Sequence, residues 1–107
     1  MADVFNYTSD EARNEVHSIV DLSLHTYGLD YEMGIAVEEM SELTKEISKN
    51  IRGFDNIEAL KEEIADVLNT CNTLIQGFDI SPIEIISLRE QKMQRLKHRI
   101  CNADETT

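Results

Sequence analysis

Breakers of regular structure are scarce in this chain: one proline and four glycines in 107 residues, with no tryptophan. Gly28, Gly53, Gly77 and the one proline stand near where helical periodicity lapses. Between them, apolar residues recur at the i, i+3, i+4 spacing of one face of an α-helix. A first helix is capped by Ser9 or Thr8 and runs to about Tyr27, with Ala12, Val16, Ile19, Val20, Leu24 and Tyr27 on one stripe. Gly28 ends it, and Asp30 is placed to cap a second helix whose stripe is Ala36, Met40, Leu43, Ile47 and Ile51, with Gly53 as its C-cap. Asp55 then caps a third, with Leu60, Ile64, Val67, Cys71, Leu74, Ile75 and Phe78, and Gly77 loosens its end. Ser81-Pro82, a capping side chain before a proline at the first helical position, opens a fourth helix that reaches about Ile100. Nothing reads as a strand and every connection is short. The expected fold is all-α: a four-helix bundle-like protomer around an antiparallel hairpin of helices two and three. The chain reads as a single domain over 1–107, helical over about 9–101 and frayed at both ends.

The formal charge of −11 excludes free nucleic acid as a partner, because phosphate backbones need a basic footprint. The same charge suits a cation site. No apolar run approaches the length of a membrane span, and Met1-Ala2-Asp3-Val4 lacks a charged-then-apolar leader. Neither a membrane partner nor secretion is expected, and the location is read as cytoplasmic. There Cys71 and Cys101, which show no metal-ligand spacing, stay reduced, and Cys71 on its apolar stripe is read as a buried thiol.

One acidic signature occurs twice, 24 residues apart: Glu38-Glu39-Met40-Ser41-Glu42 and Glu62-Glu63-Ile64-Ala65-Asp66. The shift also superposes Ala36, Met40, Leu43 and Ile47 on Leu60, Ile64, Val67 and Cys71. Carboxylates three apart share a helical face, so each segment offers a pair of oxygen ligands. At 100° per residue, Glu39 and Glu63 lie about 80° from the centres of their stripes, and Glu42 and Asp66 about 140°. In an antiparallel hairpin these matched flanks fall on one side. With a rise of about 1.5 Å per residue, Glu42 lies about 16 Å from Gly53 and Asp66 about 16 Å from Asp55, so the two pairs stand level. Four carboxylates at close quarters need a counter-charge. All-oxygen ligation favours Mg²⁺, with Mn²⁺ as a substitute, over zinc or copper. A lone EExxE is ordinarily a solvated face balanced by lysines, and its duplication at matched angle and height is what argues for a site. A diiron site needs a histidine three residues after a glutamate. His17, His25 and His98 stand elsewhere.

Cations gather on the fourth helix. Lys92, Arg95 and Arg99 form one stripe, either complementing the helix dipole or contacting phosphate. Lys49 and Arg52, near the hairpin turn, are a second and weaker phosphate-facing pair. Hard-metal ligands together with arginine and lysine are the equipment of polyphosphate chemistry.

Read together, Glu38-Glu39-Met40-Ser41-Glu42, Glu63-Ile64-Ala65-Asp66 and Lys92-Met93-Gln94-Arg95 resemble the EExxE, ExxD and KxxR pattern of the MazG-like all-α nucleoside triphosphate pyrophosphohydrolases. The resemblance covers roughly residues 16 to 100. It implies hydrolysis of a ribo- or deoxynucleoside triphosphate between its α and β phosphates. Glu39, Glu42, Glu63 and Asp66 would ligate Mg²⁺, Glu38 or Glu39 would serve the attacking water, and Lys92 and Arg95 would hold the polyphosphate. It also implies a homodimer or homotetramer with sites near subunit contacts. Asn69 and Asn72, beyond Asp66, are candidate sugar or base contacts or else solvated amides. Phe54, Tyr27 and Tyr31 are candidate stacking rings or packing residues. The competing expectation is a non-catalytic helical interaction or regulatory module with an acidic, possibly structural metal-binding face.

Overall fold

The computed structural model describes residues 5–103, and among them the protein is all-α with no strand. The expectations for residues 1–4 and 104–107 lie outside the described residues. Four helices follow one another: α1 (Asp10–Tyr27), α2 (Leu29–Ile51), α3 (Ile57–Gly77) and α4 (Pro82–Cys101). None is long and apolar enough to cross a membrane.

The helix ends follow local chemistry, with three shifts from expectation. Ser9 caps α1, its Oγ accepting from the Ala12 amide at 3.0 Å, and Asp10 and Glu11 occupy the favourable first turn. Gly28, at φ 87°, ends α1 and starts α2 with no intervening residue, so Asp30 lies in the first turn and is not the cap. The Gly28 amide donates to the Leu24 carbonyl and its own carbonyl accepts from Glu32, so one residue closes both helices. Asn56, not Asp55, precedes α3, because its side chain is engaged in the hairpin turn. Arg52 is the C-cap of α2, and Gly53 follows at φ 98°, past the last turn. Pro82 opens α4 behind Ser81, as read from the sequence, although the Ser81 side chain makes no capping bond.

Backbone proximity divides the chain into two compact units. One, Tyr7–Asp79, holds α1, α2 and α3; α4 belongs to the other. In the first, α2 and α3 run along each other as an antiparallel hairpin, and α1 lies against both.

The hairpin does not bury the stripe its sequence advertises. The half-buried and buried positions of α2 include Glu32, Ala36, Glu39, Leu43 and Glu46; those of α3 include Ala59, Leu60, Glu63, Val67, Thr70 and Leu74. At 100° per residue, this inward face is turned about 60° from the centre of the apolar stripe, on both helices and in the same sense. The far half of each stripe is left open. Met40 is 41% exposed, Ile47 45% and Ile64 47%, whereas the buried apolar residues are Val20, Ala36 and Ile75. Glu32, Thr70 and Asn72 are as buried as these. Cys71 is half-buried rather than buried, for the same rotation. The hairpin thus has two unlike faces, one apolar and one rimmed by carboxylates.

Candidate metal centre

The rotated interface brings glutamates to the seam. Glu32, Glu39 and Glu46, spaced by seven, descend the inward face of α2. Each meets a different environment. Glu32 accepts a hydrogen bond from the Ser23 hydroxyl of α1. Glu46 is held by Asn56, whose Nδ2 donates to its Oε2 at 2.7 Å and to its backbone carbonyl at 2.8 Å, and by Lys49 Nζ at 3.3 Å from its Oε1. The Asn56 bond, followed by Lys49, keeps the Glu46 carboxyl below the usual range against the opposing effect of burial. Asn50 Nδ2 donates to Asn56 Oδ1 at 3.1 Å and completes a polar clasp around the turn.

Glu39, between these two, meets more carboxylates. Glu39, Glu63 and Asp66 each bring one oxygen to within 4.8 Å of the others. Adjacent ligands of an octahedral Mg²⁺ stand about 3 Å apart, so the three oxygens, already within 4.8 Å of one another, must draw in further to share one ion. Burial is the largest cause raising the Glu39 carboxyl; next come the charges of Asp66 and Glu63, a hydrogen bond with Asp66, and Glu42. Glu63 is raised first by burial, then by Asp66, Glu42, Glu46 and Glu62. Both groups are thereby disfavoured as anions unless positive charge is supplied. Glu63 Oε2 is a buried atom with no hydrogen-bond partner, which is the condition of a ligand atom lacking its ion. The residues present therefore fit a hard divalent cation with oxygen ligands, completed by water or substrate oxygens.

Three of the four expected ligands come together. Glu42, exposed like Asp66, is the one left out: its charge bears on Glu39 and Glu63, while its oxygens are not among the close three. Glu38 is exposed on the outer side of α2. Among described proteins the chain finds no match. Neither protein-family models, nor characterised proteins, nor solved structures yield a counterpart. The chemistry of the site therefore rests on its own geometry.

The remaining candidates are distributed between the two units. Lys92, Arg95 and Arg99 line one open depression on α4 together with Gln94 and His98, and five of the ten Lys and Arg residues lie on this helix. Lys49 is engaged by Glu46, and the Arg52 guanidinium sits 5.8 Å from the centre of the Phe54 ring. Tyr27 and Tyr31 stack on each other at 5.0 Å, so each candidate ring already has a neighbour. Asn69 lines a cleft between α1 and α3. Glu46, which with Lys45 and Lys49 reads from the sequence as a solvated charged face, is instead half-buried and clasped by Asn56, and Glu32, Ser23 and Asn56 fall in no motif. The seven-residue spacing of glutamates 32, 39 and 46 was the available signal, since it marks one helical face.

Proposed function

We propose that this protein is a Mg²⁺-dependent nucleoside triphosphate pyrophosphohydrolase that yields a nucleoside monophosphate and pyrophosphate. The observation that carries this reading is the contrast along α2. Glu32 and Glu46 are satisfied by protein groups, whereas Glu39 is set against Glu63 and Asp66, with a buried oxygen of Glu63 left without a partner. Such a cluster is costly to keep ionised and is relieved by a cation. A Mg²⁺ ion held by Glu39, Glu63 and Asp66, with Glu42 beside them, would neutralise charge on phosphate oxygens and lower the pKa of a bound water. Glu38, adjacent to Glu39 in sequence, is the carboxylate proposed to orient that water. Lys92 and Arg95 are the proposed phosphate-binding cations, and Lys49 and Arg52 secondary ones. The MazG-like pattern of these segments supports the choice of the α–β bond. A homodimer or homotetramer, acting in the cytoplasm, is part of the same reading.

The test is a panel of nucleoside triphosphates with Mg²⁺, resolved by chromatography. Monophosphate plus pyrophosphate, lost with EDTA and in Glu63→Gln, is the expected result. Diphosphate plus orthophosphate would overturn the bond assignment. No turnover, with a Mg²⁺-dependent rise in melting temperature, would point to a structural ion in a non-catalytic helical module.

A further inference from the structure

Each of the two units carries an open apolar surface. On the hairpin, Met40, Ile47 and Ile51 of α2 and Ile57, Ile64 and Leu68 of α3 are 40% exposed or more. At 100° and 1.5 Å per residue, each set of three keeps within about 40° around its helix and runs about 16 Å along it. On α4, Ile86, Met93 and Ile100 recur every seven residues, the repeat of a helix that packs against other helices. That row is about 21 Å long. No residue of α4 is buried, and Met93 and Ile100 are 61% and 65% exposed. Helices in proteins draw most of their stability from packing an apolar face, and α4 has no such face covered.

Both surfaces are open in the single chain, so a second copy can supply each to the other. Two copies can meet hairpin to hairpin, α4 to α4, or α4 to hairpin. Charge decides among the three. Together α2 and α3 carry ten carboxylates and three lysines, a net charge of −7. The 20 residues of α4 carry five cations and two glutamates, a net charge of +3 in a chain whose total is −11. Like surfaces therefore repel. Only α4 against the hairpin joins opposite charges, and such complementarity steers association and suppresses the wrong pairing.

We infer that the protein is a dimer in which each copy lays its α4 along the apolar face of the other copy's hairpin. The exchange is reciprocal, so two identical contacts related by a two-fold axis close the pair and leave neither surface open. It gives the homodimer of the proposed function its contact, and it rests on exposure and charge rather than on nucleotide chemistry.

The test uses Cys101, the exposed last residue of α4. Chains with Cys71→Ser and a nitroxide on Cys101 are mixed in urea with nitrogen-15-labelled chains carrying Cys71→Ser and Cys101→Ser, then refolded together. The nitroxide is expected to broaden the amide resonances of Met40, Ile47, Ile57 and Ile64 in the labelled copy. Broadening confined to α4 would mean that α4 pairs with α4. Broadening that needs nitroxide and nitrogen-15 in one chain would mean that α4 lies on its own hairpin. Either result overturns the inference, as does a wild type that sediments as a monomer. Met93→Glu with Ile100→Glu changes two exposed residues, so the chain should keep its helices. It is expected to weaken the dimer at least about tenfold, through the loss of two apolar side chains from the contact. A dimer left intact by this variant but dissolved by Met40→Lys with Ile64→Glu would be a hairpin pair, and would also overturn it. Turnover is read separately. A dimer with the expected broadening but no nucleotide hydrolysis would uphold the exchange and remove the hydrolase, and hydrolysis by a monomer would do the reverse.

Discussion

Glu39, Glu63 and Asp66 form the point where single side chains matter most. In Glu63→Gln the crowding falls and the ligand is lost. The metal-free melting temperature is expected to rise, the increase on adding Mg²⁺ to shrink, and turnover to fall by about two orders of magnitude or more. Thermal melts with and without Mg²⁺, beside initial rates, check all three. The pH dependence has a defined sign. Glu39 and Glu63 are raised from the ordinary value of 4.5, so between that value and their raised ones the folded chain binds more protons than the unfolded chain. Metal-free stability should therefore increase as pH falls from 7 toward 5. Glu46 acts oppositely: its carboxyl is lowered, so the stability it contributes is lost as pH falls below the ordinary value through its own. A melting temperature that rises and then drops on acidification, measured in EDTA, is the expected curve. Saturating Mg²⁺ should invert the first limb, because protons then compete with the ion.

The turns give the helices their placement. Gly28 joins α1 to α2 in a single residue at φ 87° and ψ 159°, a region open essentially to glycine alone, where an L-residue costs roughly 1–3 kcal/mol. Gly28→Ala is expected to lower stability by about that amount in urea unfolding, with the helix content of the folded state unchanged. The α2–α3 turn is fastened differently, by Asn56 reaching back to Glu46 while accepting from Asn50. Asn56→Ala should loosen the hairpin and, through it, the alignment of Glu39 with Glu63. The signature is a weaker Mg²⁺ response than in wild type, not merely a lower melting temperature. Spacing and breakers made these helices legible to within a residue or two. The caps of α2 and α3 were not legible, because Asp30 and Asp55 resemble caps as strongly as Gly28 and Asn56 do, and the choice between them is made by how closely the helices turn.

Considered as a whole, the chain leaves much of its apolar stripe facing outward. Met40, Ile47 and Ile64 share the hairpin face turned away from the acidic rim, and Ile51 continues it at 80% exposure. Exposed apolar residues on one face of the hairpin are the proposed association surface. The chain is expected to sediment as a dimer or tetramer at micromolar concentration, and the double change Met40→Lys with Ile64→Glu to yield a monomer. Light scattering coupled to size exclusion distinguishes the two. A monomeric wild type would remove the oligomer from the reading and leave the triad, which lies within one protomer, untouched.

Helix number, helix boundaries and the doubling of the acidic segment follow from local pattern, since periodicity, caps and breakers act between residues a few positions apart. Glu39, Glu63 and Asp66 were legible in the same way, as carboxylates at matched angle in a short hairpin. What local pattern does not contain is the rotation of the two helices about their axes. Packing α2 against α3, with α1 set against both and tied to α3 where Gln76 Nε2 donates to the His17 carbonyl and to Asp21 Oδ1, leaves Glu32, Glu39 and Glu46 on the inward side and Met40 and Ile64 exposed. The close approach of Glu39, Glu63 and Asp66, the unpartnered Glu63 Oε2 and the cleft beside Ser23 appear only in the packed chain. Each is a consequence of contacts between residues far apart in the chain, to which helical periodicity is blind.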